Sequence, residues 1–150
     1  MPEDEAGLLP WSWAESELVK ASNYWIISVR PDGRPHASPV WGVWLDGTLY
    51  FDGSEQTRRM QNIAAKPEIV VHLESGDEVV VLEGRAGPVP APPARSLTEK
   101  LSALYTGKYA DHDYKPKPDQ WDRGGLYAMQ PHTALGWTFR KGETFGATYT

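Results

Sequence analysis

The chain of 150 residues has 15 Lys and Arg against 20 Asp and Glu, a formal charge of -5, with 40% hydrophobic residues and no cysteine. Lack of cysteine excludes disulfides, thiolate nucleophiles and every cysteine-ligated zinc or iron-sulfur site. With 14 Gly and 13 Pro the chain is interrupted too often for a long-helix bundle, while its apolar content excludes disorder over the whole length.

The acidic start Met1-Pro2-Glu3-Asp4-Glu5 differs from a basic secretory leader, and no apolar run reaches the roughly 18 residues that cross a bilayer. The expected location is the cytoplasm, with no membrane partner. The acidic balance argues against a nucleic-acid partner bound through its phosphate backbone. One domain over residues 1–150 is expected, with 1–11 a flexible N-terminal segment.

In chain order, Ser12 and Glu15 have capping-box spacing ahead of Ala14, Leu18 and Ala21, which predicts a helix over Ser12 to Ser22. Tyr24 to Arg30 is β-branched and aromatic, Pro31-Asp32-Gly33-Arg34 is turn chemistry, and Pro35 to Leu45 is a long second strand. Asp46-Gly47 predicts a hairpin into Thr48 to Asp52. Pro39 and Gly42 inside the second strand predict a bulge or an edge, with backbone groups left free.

A helix over Thr57 to Ala65 is stopped by Lys66-Pro67. Strands Glu68 to Glu74 and Glu78 to Ala86 flank Ser75-Gly76-Asp77, and Pro88, Pro90, Pro92 and Pro93 form a stiff connector. Ser96 with Glu99 is a second capping box before Leu97, Leu101, Leu104 and Tyr105, a helix that ends near Gly107. Ala110 to Gly125 has no period and reads as a long loop. Leu126 to Pro131, Thr133 to Arg140 and Thr144 to Tyr149 complete the strands. The fold class is mainly β: a barrel of six to eight mostly antiparallel strands with short helices, since closure removes exposed edges.

One local rule is broken. Thr57 is an N-cap, yet Arg58 and Arg59 follow it at the positive end of the helix dipole, where acidic residues are favoured by roughly 0.3–1 kcal/mol each. A bound anion resolves the conflict, because free N–H groups, a hydroxyl and two guanidinium forks converge there. The alternative is a pair of solvated arginines near Glu55.

The run Trp25 to Trp41 (WIISVRPDGRPHASPVW), then Leu49 to Asp52 (LYFD), Thr57 to Pro67 (TRRMQNIAAKP) and Ile69 to Leu73 (IVVHL) resembles the pyridoxamine 5'-phosphate oxidase-like superfamily, over about residues 24 to 86. The resemblance implies a split β-barrel homodimer that binds FMN, or the deazaflavin coenzyme F-420, at the subunit interface. Carried over, it implies that Thr57, Arg58 and Arg59 hold the cofactor phosphate. Ser38, Pro39, Val40 and Trp41 would lie along the ring and offer backbone groups to it. Phe51 and Asp52 would sit near the sugar-like chain, and Trp137 of the second subunit would line the cleft. Trp41 and Trp44 are equally explained by core or interface packing.

The C-terminal stretch Leu135-Gly136-Trp137-Thr138-Phe139 lacks the Arg-x-His pair of members that oxidise pyridoxine phosphate, so that substrate is not expected. The Gln that many FMN binders place early in the fifth strand is replaced by Glu78 or Val79, and Pro-His-x-x-Pro-Val-Trp resembles the deazaflavin branch more closely. His36, His72, His112 and His132 lack zincin spacing, so no metal is expected, and no Gly-x-Ser-x-Gly elbow places a nucleophile. No side chain is assigned a catalytic acid-base role.

Three functions follow from the sequence. The first is an oxidoreductase moving hydride between a flavin or deazaflavin and a small organic substrate. The second is a non-catalytic module for flavin, deazaflavin or haem. The third, a nucleic-acid binder that stacks bases on its aromatics, is disfavoured by the charge. Seven Trp and seven Tyr exceed what a small barrel encloses with alternate side chains, which predicts a homodimer interface.

Overall fold

The computed structural model describes residues 9–139 and the backbone of 145–149. In chain order these form α1 (Trp11–Lys20), β1 (Tyr24–Val29), β2 (Pro35–Val40), β3 (Gly42–Leu45), β4 (Thr48–Asp52), α2 (Arg58–Ala65), β5 (Glu68–His72), β6 (Glu78–Pro88), α3 (Arg95–Lys108), β7 (Leu126–Thr138) and β8 (Phe145–Tyr149). The expected class holds: the protein is mainly β, an antiparallel sheet with helices between its strands. Most of the segment 1–11 and the expected strand ends Arg140 and Thr144 lie outside the described residues, while Trp11 itself opens α1.

The strand order is β2-β1-β5-β6-β7-β4-β3, with β8 paired to β7 beside this path. The two ends of the path, β2 and β3, are successive stretches of chain separated only by Trp41. Val40 lies opposite Tyr24 on β1, and Gly42 lies opposite Phe51 on β4. The predicted second strand is therefore one run that changes partner at Trp41, and the sheet curls into a half-barrel whose ends meet there. Gly42 is required at the change, because a Cβ would come 2.8 Å from the Tyr50 carbonyl oxygen.

Both predicted turns are present. Asp46 and Gly47 have φ of 50° and 77°, the paired positive values of a type I′ hairpin that matches strand twist. The two expected strands Leu126 to Pro131 and Thr133 to Arg140 are instead the single β7. Its pairing with β6 steps from Glu83 opposite Thr133 to Gly84 opposite Pro131, so His132 is an extra residue at a bulge. The bulge absorbs Pro131 within the strand, where a regular ladder would lose a donor.

Neither outer helix uses its predicted capping box. α1 starts after Pro10 and α3 after Ala94, two residues earlier than N-caps at Ser12 and Ser96 require, and neither start has a side-chain cap. Ser16 and Thr98 hydroxyls bond instead to carbonyls within the first turns, those of Trp13 and Arg95. A cap is worth about 1 kcal/mol, less than the roughly 1.5–3 kcal/mol from burying one large aliphatic side chain. The burial of Leu18 on α1 and of Leu101 and Tyr105 on α3 sets the helix starts.

The barrel interior is filled by Tyr24, Ile26, Leu49, Phe51, Leu82 and Met129. A second cluster under α3 contains Val43, Leu101, Tyr105, Tyr109, Trp121 and Leu126. The loop expected from Ala110 to Gly125 closes this second cluster with two short 3-10 turns, Ala110–His112 and Pro118–Trp121. Among the described residues no helix is long and apolar enough to cross a membrane.

Candidate functional site

Alternation along β1 and β2 turns Ser28, His36 and Ser38 toward the interior, with Ser28 opposite His36 and Ile26 opposite Ser38. Helix α2 packs over this end of the barrel. Its Arg59 and Asn62, one turn apart, reach the two strands: Arg59 Nη1 donates to Ser38 Oγ at 2.7 Å, and Asn62 Nδ2 donates to Ser28 Oγ at 3.1 Å. As predicted, Thr57 is the N-cap of α2; its hydroxyl accepts from the Met60 N–H at 3.3 Å and donates to the Ser54 carbonyl at 2.9 Å. Arg58 is exposed beside it.

Four buried polar atoms in this region have no hydrogen-bond partner among the described residues: Arg30 Nε, His36 Nδ1, Arg59 Nε and Asn62 Oδ1. Such an atom costs roughly 1–3 kcal/mol. Burial disfavours the charged form of Arg59 and holds its pKa down. Burial, with the charges of Arg30, Arg59 and Arg58, lowers the pKa of the His36 imidazole below the usual histidine value. Arg58 and Arg59 open α2, Arg30 follows β1 with its carbonyl near Lys66 at the other end of the helix, and all three charges act on His36 between them, with donors left over for an anion.

The predicted ring-binding strand is at the end of the strand order, so among the described residues one edge of β2 faces no other strand. Free backbone groups were also expected at Gly42, and there the structure differs: the Gly42 N–H donates to Tyr109 Oη at 2.9 Å, and its carbonyl accepts from Lys108 Nζ at 2.9 Å. Trp41, 38% exposed, stacks on Tyr109 at 4.8 Å between ring centroids and meets His112 at 4.9 Å. Pro39 is exposed and Val40 faces the core.

The remaining predicted site residues lie elsewhere. Phe51 is fully buried and stacks on Tyr127 at 5.8 Å, so its ring is core and presents no surface to a ligand. The Asp52 carboxylate accepts from Tyr114 Oη and, at 2.9 Å, from Trp121 Nε1. Burial pushes its pKa up, against the effect of those hydrogen bonds, and its visible work is to anchor the loop after α3. Trp137 is half-buried opposite Val79 on the outer face of the sheet. Trp44 is buried against Trp11, with 6.3 Å between ring centroids.

Residues 15–127 match the family model for pyridoxamine 5'-phosphate oxidase. The chain belongs to that family. Its fold is similar to that of an F-420 reductase, with a TM-score of 0.59 at 23% identity over 80% of this chain and 94% of the other. A pyridoxamine 5'-phosphate oxidase-related, FMN binding protein from Nostoc punctiforme matches with a TM-score of 0.62 at 15% identity, over 95% and 98%. HutZ, the heme storage protein of Vibrio cholerae, matches at 0.59 and 15% identity, over 79% and 87%. No curated protein matches the sequence.

Sequence reasoning missed Arg30, His36 and Asn62 in this pyridoxamine 5'-phosphate oxidase family member. A signal was present in the strands: Ser28 and Arg30, then His36 and Ser38, place polar residues at the inward period-2 positions of an apolar hairpin. The local rule conflict at Arg58-Arg59 drew attention to the helix alone.

Proposed function

We propose that the chain is a flavin- or deazaflavin-dependent oxidoreductase that moves hydride between FMN or coenzyme F-420 and a small organic substrate other than pyridoxine phosphate. The observation that carries this reading is the pair Arg58 and Arg59 at the start of α2, joined by Arg30 through a shared effect on His36, with two unpartnered guanidinium Nε atoms, beside the edge strand β2. A phosphate-bearing cofactor suits that donor set, and the family and the fold similarities to an F-420 reductase and an FMN binding protein support the choice.

When bound, such a cofactor supplies the hydride chemistry itself. Arg58 and Arg59 would hold the phosphate from the helix side, and Ser38 orients Arg59 through its hydroxyl. The free edge of β2, from Ser38 to Trp41, would offer N–H and C=O groups to the polar rim of the ring. Trp41, held by Tyr109, would limit water at the ring.

The same reading includes a homodimer. One row across the outer sheet face joins Trp25, His72, Val81 and Leu135 in register, with Trp25 stacked on His72 at 6.2 Å. These half-buried side chains, with Trp137, form an apolar sheet face of the kind a second subunit covers. Location in the cytoplasm belongs to the same proposal.

The test is an absorption and fluorescence titration of the purified protein with FMN, F-420 and haem in parallel. Saturable binding of FMN or F-420 that weakens in Arg59→Ala supports the reading. Binding of haem alone makes the chain a haem-binding module, and binding of none refutes the site.

A further inference from the structure

The phosphate reading leaves one residue of the cluster without a role. His36 projects inward from β2, opposite Ser28 of β1, and its Nδ1 is buried with no partner, as are the Nε atoms of Arg30 and Arg59. The groups around it are Ser28 from β1, Arg30 just after that strand, Ser38 from its own strand, and Arg58, Arg59 and Asn62 from α2. The charged ones are all arginines. Among the described residues no carboxylate acts on its titration.

We propose that His36 is a phosphate-binding residue that is neutral in the free protein and charged in the filled site, so that binding of a phosphate ester takes up a proton from solution. The proposal rests on the phosphate reading above. Without an anion, burial and then the charges of three guanidinium groups oppose ionisation of the imidazole and favour its neutral form. A phosphate monoester brings close to two negative charges above its second pKa of about 6. Its arrival offsets about two of the three guanidinium charges, and the imidazolium then has a charged acceptor for the Nδ1–H that lacks a partner. The proton comes from solvent and goes to the imidazole; no other bond changes. This is linkage: a group whose pKa is higher in the bound state makes affinity rise as pH falls.

FMN is the probe, because its phosphate is already doubly charged between pH 7 and 8.5 and its own protonation adds little there. In wild type, affinity for FMN should fall by up to tenfold per pH unit over that range. Calorimetry at pH 7.5 in buffers of different ionisation enthalpy should show a fraction of one proton taken up per FMN bound. His36→Gln should bind FMN more weakly, with no pH dependence and no proton uptake. His36→Lys, which fixes the charge, should restore affinity and also lose the pH dependence. Near-ultraviolet circular dichroism and melting show that each variant is folded. Wild-type binding of FMN without proton uptake, or uptake that persists in His36→Gln, overturns the role of His36 while the arginine site stands. Absence of FMN binding by wild type overturns the role of His36, and absence of F-420 binding as well overturns both.

Discussion

Arg59 on α2 reaches across to Ser38 on β2 and donates to its hydroxyl at 2.7 Å. The bond crosses 21 positions of sequence and fixes the guanidinium between the helix N-terminus and the open strand edge. One nitrogen is used, and Nε remains without a partner. The residue is positioned by the fold, and its remaining hydrogen-bonding capacity is not spent on the fold.

Arg59→Ala should therefore weaken binding of a phosphate-bearing cofactor about ten- to a hundredfold, as expected for a charge-assisted contact worth roughly 1.5–3 kcal/mol. The melting temperature should hold or rise, because a half-buried cation beside Arg58 and Arg30 is removed. Titration with FMN or F-420, together with calorimetric melting, checks both parts. Unchanged affinity in a variant whose parent binds would remove Arg59 from the site.

Asp52 should act on the loop after α3. Its carboxylate holds Tyr114 and Trp121, and Asp52→Ala leaves a buried indole N–H unpaired at a cost of about 1–3 kcal/mol. Limited proteolysis within residues 110–125 should accelerate, while the barrel strands keep their amide protection. Protection lost evenly over the whole chain would show that the loop is not a separate unit.

Two glycines should respond oppositely to alanine. At Gly84, on the bulge, a Cβ would lie 2.2 Å from the Gln130 carbonyl oxygen; at Gly76 it would meet nothing within 4 Å. Gly84→Ala should cost more than about 2 kcal/mol, with backbone strain as the cause. Gly76→Ala should change stability by less than about 0.5 kcal/mol. Urea unfolding of both variants makes the comparison.

Lys108 gives a pH signature. Its ammonium donates to Tyr24 Oη at 2.8 Å and to the Gly42 carbonyl, and burial lowers its pKa to about 8 against 10.5 in an unfolded chain. Between these values the unfolded state binds more protons than the native state, so stability rises with pH from about 8. The buried tyrosines Tyr24 and Tyr105 have pKa values pushed up by burial, so their contribution is lost above about pH 10. Stability should pass through a maximum between pH 8 and 10, and Lys108→Met should flatten the rise. A wild-type curve already falling from pH 8 would contradict this account of Lys108.

Much of the barrel was legible in the sequence because short-range chemistry decides it. Asp46-Gly47 dictates a I′ turn, Lys66-Pro67 ends α2, and Thr57 caps it. The misread parts depend on contacts distant in sequence. The starts of α1 and α3 follow the burial of Leu18, Leu101 and Tyr105 rather than the serines at their first turns. β7 runs through Pro131 because a bulge opposite Gly84 accommodates it. The backbone of Gly42 appeared free only because Lys108 and Tyr109, more than 60 residues away, could not be placed beside it.

The site divides in the same way. Arg58 and Arg59 stood out because they oppose a local rule at the start of a helix. Arg30 and His36 obey strand alternation and become part of a cationic cluster only once α2 folds over β1 and β2.

The central claim is that this cluster holds the phosphate of a flavin-type cofactor. The most direct measurement follows the guanidinium Nε–H resonances of Arg30 and Arg59 by NMR as FMN, F-420 and riboflavin, which has no phosphate, are added separately. The account predicts that FMN or F-420 shifts both resonances at saturation and that riboflavin binds at least tenfold more weakly and leaves them in place. Riboflavin binding as tightly as FMN, or a saturating phosphate-bearing cofactor that leaves both resonances unmoved, would contradict it.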